Sequence, residues 1–174
     1  IDGGYATTLP ANYNPMPNVT VAGTGPGTSI LAFSNSGIAG SETDTIVGQG
    51  LRLNGNSTVT FTYLGSEAGA SNQAVELANG QALANHGANI IGDNISANFV
   101  DGLLSFKFVT TRTGATGDIE NGVGSTLSGL KMAFHVVDSK TVLAFFGDGT
   151  GDSDYDDIVI RISTMPLPAG ALLL

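Results

Sequence analysis

The stretch Ser57-Thr-Val-Thr-Phe-Thr-Tyr-Leu64 alternates without a break, with Val59, Phe61 and Tyr63 on one side and Thr58, Thr60 and Thr62 on the other. A period of two is the signature of a β-strand that turns one face to a core and the other to water. Asn54-Gly55 stands just ahead of it. Both residue types tolerate positive φ, so the pair predicts a two-residue hairpin joining a strand over 46–53 to the strand over 57–64.

Further strands are predicted on either side. One spans 28–34, and another spans 103–111, where Leu104, Phe106 and Phe108 alternate with Ser105 and Lys107. The runs 130–137 and 140–146 form a hairpin about Asp138-Ser139, and Ile158, Ile160 and Ile162 mark a last strand over 157–164. The segment 65–98 is less regular, and 74–84 reads either as a short strand or as a helical turn. The segment 114–129 reads as a Gly-rich loop. About eight short strands separated by turns predict an all-β fold, an antiparallel β-sandwich of jelly-roll-like type.

At 174 residues the chain suits one such domain, long enough to bury roughly 70% of its unfolded surface. The organisation expected is an extended N-terminal arm over 1–27, rich in Pro, Asn and Gly, then a sandwich over 28–164 and a C-terminal segment over 165–174. Charged residues make up 12% of the chain and the formal net charge is −9. The six basic residues (Arg52, Lys107, Arg112, Lys131, Lys140 and Arg161) are scattered singly. A nucleic-acid binder needs clustered cations to displace phosphate counterions, so that class is excluded. An anionic membrane surface would repel the chain as well. The absence of cysteine removes disulfides, thiolate metal sites and cysteine nucleophiles together.

Enzyme readings find little footing. His86 and His135 are the two groups able to serve as a near-neutral base. His135 sits between Phe134 and Val136 on a predicted strand, and His86 lies in a polar loop, so both read as structural. No Gly-x-Ser-x-Gly elbow occurs. Glu67 and Glu76 are carboxylates of the kind glycosidases pair, but their spacing does not mark them out. Gly23, Gly25 and Gly27 miss the dinucleotide spacing. Trp is absent and four Tyr occur, which leaves few rings to stack on sugar faces.

The acidic loop is a sharper signal. Five of the 15 acids fall between positions 148 and 157: Asp148, Asp152, Asp154, Asp156 and Asp157. Alternate carboxylates in a Gly-rich turn can supply several of the six to eight oxygens that Ca2+ takes. Gly147, Gly149 and Gly151 allow the backbone to fold its carbonyls inward. The EF-hand pattern is half met, since Asp157 stands where the sharp-turn Gly belongs and Ser163 where the bidentate Glu belongs. The expectation is therefore a Ca2+ loop of another type. The competing reading gives these Asp side chains a turn-capping role, accepting backbone N–H bonds. A capping Asp can also ligate, so the two readings are compatible.

The Asp-rich run over 148–162, followed by Met165-Pro-Leu-Pro-Ala169, resembles the C-terminal part of bacterial exported proteins that carry a VPLPA-type or PEP-type sorting signal. Thr60-Phe-Thr-Tyr-Leu-Gly-Ser-Glu-Ala-Gly69 is similar to a stretch that recurs in such proteins. Met165 replaces the usual Val. The resemblance implies export from a Gram-negative cell, exosortase-dependent processing near Pro166, Leu167, Pro168 and Ala169, and a destination at the cell surface or in the extracellular matrix. The ends of the sequence carry the same expectation: Ile1 suits a chain freed of its leader, and the apolar run 165–174 suits the start of a longer hydrophobic segment. Ten residues are too few to span a bilayer, which takes about 20.

The function expected is a non-enzymatic structural or adhesive protein of the surface or matrix, self-associating, including as a filament subunit, or bound to other matrix components. An alternative is a Ca2+-dependent module that binds exopolysaccharide. A second alternative is an accessory subunit of a membrane complex, touching the membrane only through its C-terminal segment.

Overall fold

The computed structural model describes residues 29–34, 51–66, 68–138, 140–149 and 157–167. These residues contain strands and no helix, packed as the two antiparallel sheets of a sandwich. The predicted all-β sandwich is therefore the observed class.

Among the described residues, thirteen strands follow in chain order. They are β1 (Ser29–Ser34), β2 (Arg52–Leu53), β3 (Ser57–Gly65), β4 (Ser71–Glu76), β5 (Ala82–Ala84), β6 (Asn94–Phe99) and β7 (Gly102–Leu103). Then come β8 (Phe106–Arg112), β9 (Ala115–Glu120), β10 (Gly124–Ser125), β11 (Lys131–Asp138), β12 (Thr141–Gly147) and β13 (Ile158–Pro166). One sheet has the order β1-β11-β12-β13-β3-β6, the other β10-β9-β8-β4-β5, and β2 and β7 form a separate two-stranded pair. The runs β8-β9-β10 and β11-β12-β13 each stay within one sheet, and the chain crosses between the two large sheets at β3 to β4, β5 to β6, β6 to β8 by way of β7, and β10 to β11.

The opening alternation does what its period demands. Val59, Phe61 and Tyr63 are buried. On the outer face, Thr58 Oγ1 donates to Asn98 Oδ1 at 2.8 Å, and the hydroxyls of Thr60 and Ser96 lie 2.8 Å apart. Both contacts join β3 to its neighbour β6, pairing side chains directly across the ladder.

Aromatic rings fasten the sheets together. Phe61 on β3 lies 5.7 Å from Phe106 on β8, Phe106 lies 6.1 Å from Phe134 on β11, and Phe108 stacks on Phe146 of β12 at 5.0 Å. Such pairs each contribute about 0.5–1.5 kcal/mol beyond the area they bury. β12 is buried on both faces. Val142, Ala144 and Phe146 join the inter-sheet core, whereas Leu143 and Phe145 are buried on the opposite side.

Three expectations are corrected. Asn54-Gly55 does not close a hairpin, because β2 pairs with β7 whereas β3 pairs with β13 and β6. The turn is instead latched to a distant one: Gly55 N donates to Asp101 Oδ1 at 2.8 Å, and Asp101 N donates to Asn56 Oδ1 at 3.0 Å. Gly55 has φ +115°, so it takes up the positive φ expected of it, in a turn that does not pair β2 with β3. The 114–129 region is not a loop throughout, since it holds β9 and β10. Gly117 there is a packing residue, because a Cβ on it would lie 2.5 Å from Leu127 Cβ. Finally, the irregular 65–98 stretch holds β4, β5 and most of β6, and of the two readings of 74–84 the strand is the one observed, as the end of β4, a turn and β5.

The last strand runs further than the sequence suggested. Met165 and Pro166 belong to β13, opposite Thr58 and Ser57, and Leu167 N donates to Asn56 O at 3.4 Å. The first two of the four expected processing positions thus lie beside the start of β3, and Pro168 and Ala169 lie outside the described residues, as does the expected 1–27 arm.

Candidate functional site

The acidic loop leaves the six-stranded sheet at the end of β12 and returns at the start of β13. These strands are antiparallel neighbours, so the residues flanking the loop are held side by side. Asp148 follows β12 directly and Asp157 precedes β13 directly. Asp148 is 0% exposed and Asp157 is 7% exposed. Asp152, Asp154 and Asp156 lie outside the described residues.

The two described carboxylates close the loop at its base. Asp148 N donates to Asp157 Oδ2 at 2.6 Å. That is the turn-closing role anticipated for these residues, seen at one of them. Gly149 makes the closure sterically workable, because a Cβ there would lie 2.7 Å from both the carbonyl carbon and the oxygen of Gly129. Its φ of +75° is a second reason for glycine at that position.

The opposite sheet reaches up to the same point. Asn72, on β4 and 0% exposed, directs Nδ2 toward Asp148 Oδ2 and toward the Asp157 carbonyl oxygen, each at 3.3 Å. Ser66, just beyond β3, donates its hydroxyl to the same Asp157 carbonyl at 2.6 Å. Asn85, just beyond β5, ties the group together. It accepts from Asn72 N at 2.8 Å and donates Nδ2 to Ser66 Oγ at 3.0 Å and to Ala70 O at 2.9 Å. Arg112, at the end of β8, donates Nη1 to Asp148 O at 2.5 Å and Nη2 to Ser128 O at 3.3 Å. A cation from the five-stranded sheet thus stands beside the loop, although none of the six is close to the loop in sequence except Arg161.

Among the described residues, two buried atoms at this end of the sandwich have no hydrogen-bond partner: Asn72 Oδ1 and Thr110 Oγ1. They sit on residues that face each other across the β4–β8 ladder. A buried polar group left unpaired costs about 1–3 kcal/mol, so such pairs call for a physical reason. Among the described residues, no three His, Cys, Asp or Glu side chains converge on one point. What does converge is a hydrogen-bonded set of Asp148, Asp157, Asn72, Asn85, Ser66 and Arg112.

The other residues weighed in the sequence fall elsewhere. Glu76 is 0% exposed and accepts from Ala78 N at 2.9 Å, from Asn79 N at 3.1 and 3.0 Å and from Gln81 N at 2.9 Å, so its carboxylate closes the β4–β5 turn. His86 is exposed in the loop after β5. Glu67 lies outside the described residues.

Asn72, Asn85, Ser66 and Thr110 were not singled out by the sequence. A signal existed for one of them: in Ser-Asn-Gln-Ala-Val-Glu76 the inward positions are Asn72, Ala74 and Glu76. A polar residue at an inward strand position has to be satisfied by something. Comparison with protein-family models, with curated proteins and with solved structures gave no match to this chain.

Proposed function

We propose that this chain is a non-enzymatic structural or adhesive protein, exported to the cell surface or extracellular matrix, in which Ca2+ organises the loop between β12 and β13. The observation that carries the reading is the pair of buried carboxylates, Asp148 and Asp157, held side by side at the mouth of a loop with three further Asp. Carboxylates taken out of water favour a partner of opposite charge, and a hard dication is the partner that alternate Asp side chains suit best. The described site offers carboxylate, amide, hydroxyl and backbone carbonyl oxygens, the ligand types that a hard dication takes. The composition, low in charged residues and rich in hydroxyls and amides, supports a matrix role, as does the resemblance at 148–169 to exported proteins with a sorting signal.

Thermal unfolding with and without Ca2+ tests the proposal. A ligand bound only by the folded state stabilises it by RT ln(1 + [L]/Kd), about 2.7 kcal/mol at one hundred times Kd. Millimolar Ca2+ should therefore raise Tm and a chelator should reverse the rise. Asp154→Ala should abolish most of it. A wild-type Tm indifferent to Ca2+ and to chelator would remove the metal from the account. The role is tested separately by electron microscopy with Ca2+ present, where filaments or ordered assemblies are expected and dispersed monomers at high concentration would count against self-association.

A further inference from the structure

β6 ends the six-stranded sheet, and among the described residues it pairs with β3 alone. Tyr63 N donates to Asp93 O at 2.8 Å, and on the other side of β3 Leu167 N donates to Asn56 O at 3.4 Å. Backbone groups face alternate sides along an antiparallel ladder. Ile95, Ala97 and Phe99 therefore bond to β3, which leaves the N–H and C=O of Asn94, Ser96 and Asn98 pointing away from the sheet. The side chains of those same residues are exposed on its outer face.

Such an edge is a template for another strand, and proteins blunt it with Lys, Pro, bulges or very short strands. The edges of the facing sheet, β5 and β10, are three and two residues long. β6 has six residues, Asn-Ile-Ser-Ala-Asn-Phe, with neither Lys nor Pro and with an unbroken register against β3. It also carries no charge, in a chain whose net charge is −9. Copies of an acidic chain repel least where neither presents a charge. The acids at its two ends are already engaged: Asp93 Oδ2 accepts from Ile90 N at 3.0 Å, and Asp101 Oδ1 accepts from Gly55 N at 2.8 Å.

The flanking residues indicate what the edge receives. Ile90 and Ile91, 69% and 51% exposed, stand just before β6, and Val100, 75% exposed, stands just after it. Lay a second β6 antiparallel on the first, Ser96 opposite Ser96, and Asn94 of each copy falls opposite Asn98 of the other. Every outward N–H and C=O then meets its complement, because each facing pair exchanges both of its bonds. The same register brings Val100 of each copy to Gly92 of the other, beside Ile91 and Ile90. A two-fold arrangement of this kind is self-complementary.

We propose that β6 is a self-association edge at which two copies of this chain join antiparallel about a two-fold axis at Ser96, fusing their six-stranded sheets and covering Val100 with Ile90 and Ile91 of the other copy. This inference rests on the reading of the chain as a self-associating structural protein, and it names the surface and the unit of assembly. The hydroxyls of Thr60 and Ser96, 2.8 Å apart, would continue across the axis into the same row of the second copy.

Sedimentation velocity on the full chain separates this contact from self-association in general. The wild type should form a dimer, alone or as the unit of larger assemblies. Ser96→Lys sets two ammonium groups face to face at the axis and should weaken the dimer at least about tenfold. Thr116→Lys makes the same change of charge at an exposed position of β9, in the other sheet, and should leave it intact. A dimer that Ser96→Lys does not weaken, or that Thr116→Lys weakens equally, would overturn the inference while sparing self-association. A wild type that stays monomeric at high concentration would overturn both. Should Ser96→Lys fail to fold, Ser96→Cys decides. Facing Cα atoms of a hydrogen-bonded pair stand about 5.5 Å apart, within the span of about 4.4–6.8 Å that a disulfide bridges. The chain has no other Cys, so mild oxidation should give a covalent dimer far faster than it does with Thr116→Cys. Equal rates at the two positions would overturn the two-fold register.

Discussion

Several side chains in this protein act as substitutes for missing backbone partners. Asn121, 2% exposed, accepts from Leu51 N at 3.0 Å and donates to Leu51 O at 2.9 Å and to Leu104 O at 2.7 Å. It therefore completes the ladder around the short β2–β7 pair, where two-residue strands leave backbone groups unpaired. Asn121→Leu should cost about 1–3 kcal/mol for each group left buried and unpaired, measured by urea unfolding. A loss under half a kcal/mol would mean that water replaces the amide. Glu76 does the same for the β4–β5 turn, and Glu76→Gln should destabilise by about 1.5–3 kcal/mol because hydrogen bonds to a charged acceptor are the stronger kind.

The Lys107–Asp118 pair, 2.6 Å apart across β8 and β9, sets a pH dependence. The hydrogen bond from Lys107 is the main reason why the Asp118 carboxyl titrates below its ordinary value, with a smaller contribution from Thr126. A carboxyl whose pKa is lower in the folded state contributes stability above its unfolded value and loses it as pH falls through the folded one. Lys107→Met should therefore cost about 0.2–1 kcal/mol at neutral pH, as partly exposed pairs do. The difference from wild type should shrink as the pH is taken below the ordinary carboxylate range. A difference that grows in acid would reverse the assignment.

At the scale of elements, the strands with apolar alternation were legible and those without it were not. β3, β8, β11, β12 and β13 all announced themselves through residues such as Phe61, Phe108 and Ile160, because an apolar residue at every second position has one physical solution. β4 and β6 escaped because their inward positions carry Asn72, Glu76 and Ala97, which break the hydrophobic period. β9 escaped because Gly117 is small for the sake of Leu127, and in the sequence such a glycine looks like a turn. Of the site, the Asp run was visible as a local pattern. The contributions of Asn72, Ser66, Asn85 and Arg112 come from strands and turns 36 or more residues away, and no local pattern encodes a contact across a sandwich. The stacked and tilted rings should be the most sensitive point of the core. Phe106 touches Phe61, Phe108 and Phe134 within 6.1 Å, and Phe106→Ala is expected to cost about 3–5 kcal/mol. A change of less than about 1.5 kcal/mol on denaturant unfolding would mean that the core closes over the void.

At the scale of the molecule, β13 is the strand on which the account turns. It sits inside the six-stranded sheet between β12 and β3, it begins at Ile158, directly after Asp157, and it ends at Met165-Pro166, where the run that resembles a sorting signal starts. An ion at its start would fix this strand, which Asn72 ties to the facing sheet through Asp148 Oδ2 and the Asp157 carbonyl. The measurement that bears most directly on this is a calorimetric Ca2+ titration of the whole chain. The account predicts saturable binding that involves the Asp148–Asp157 loop, with a Tm that rises as the site fills. Absence of binding heat at millimolar Ca2+, together with an unchanged Tm, would contradict it.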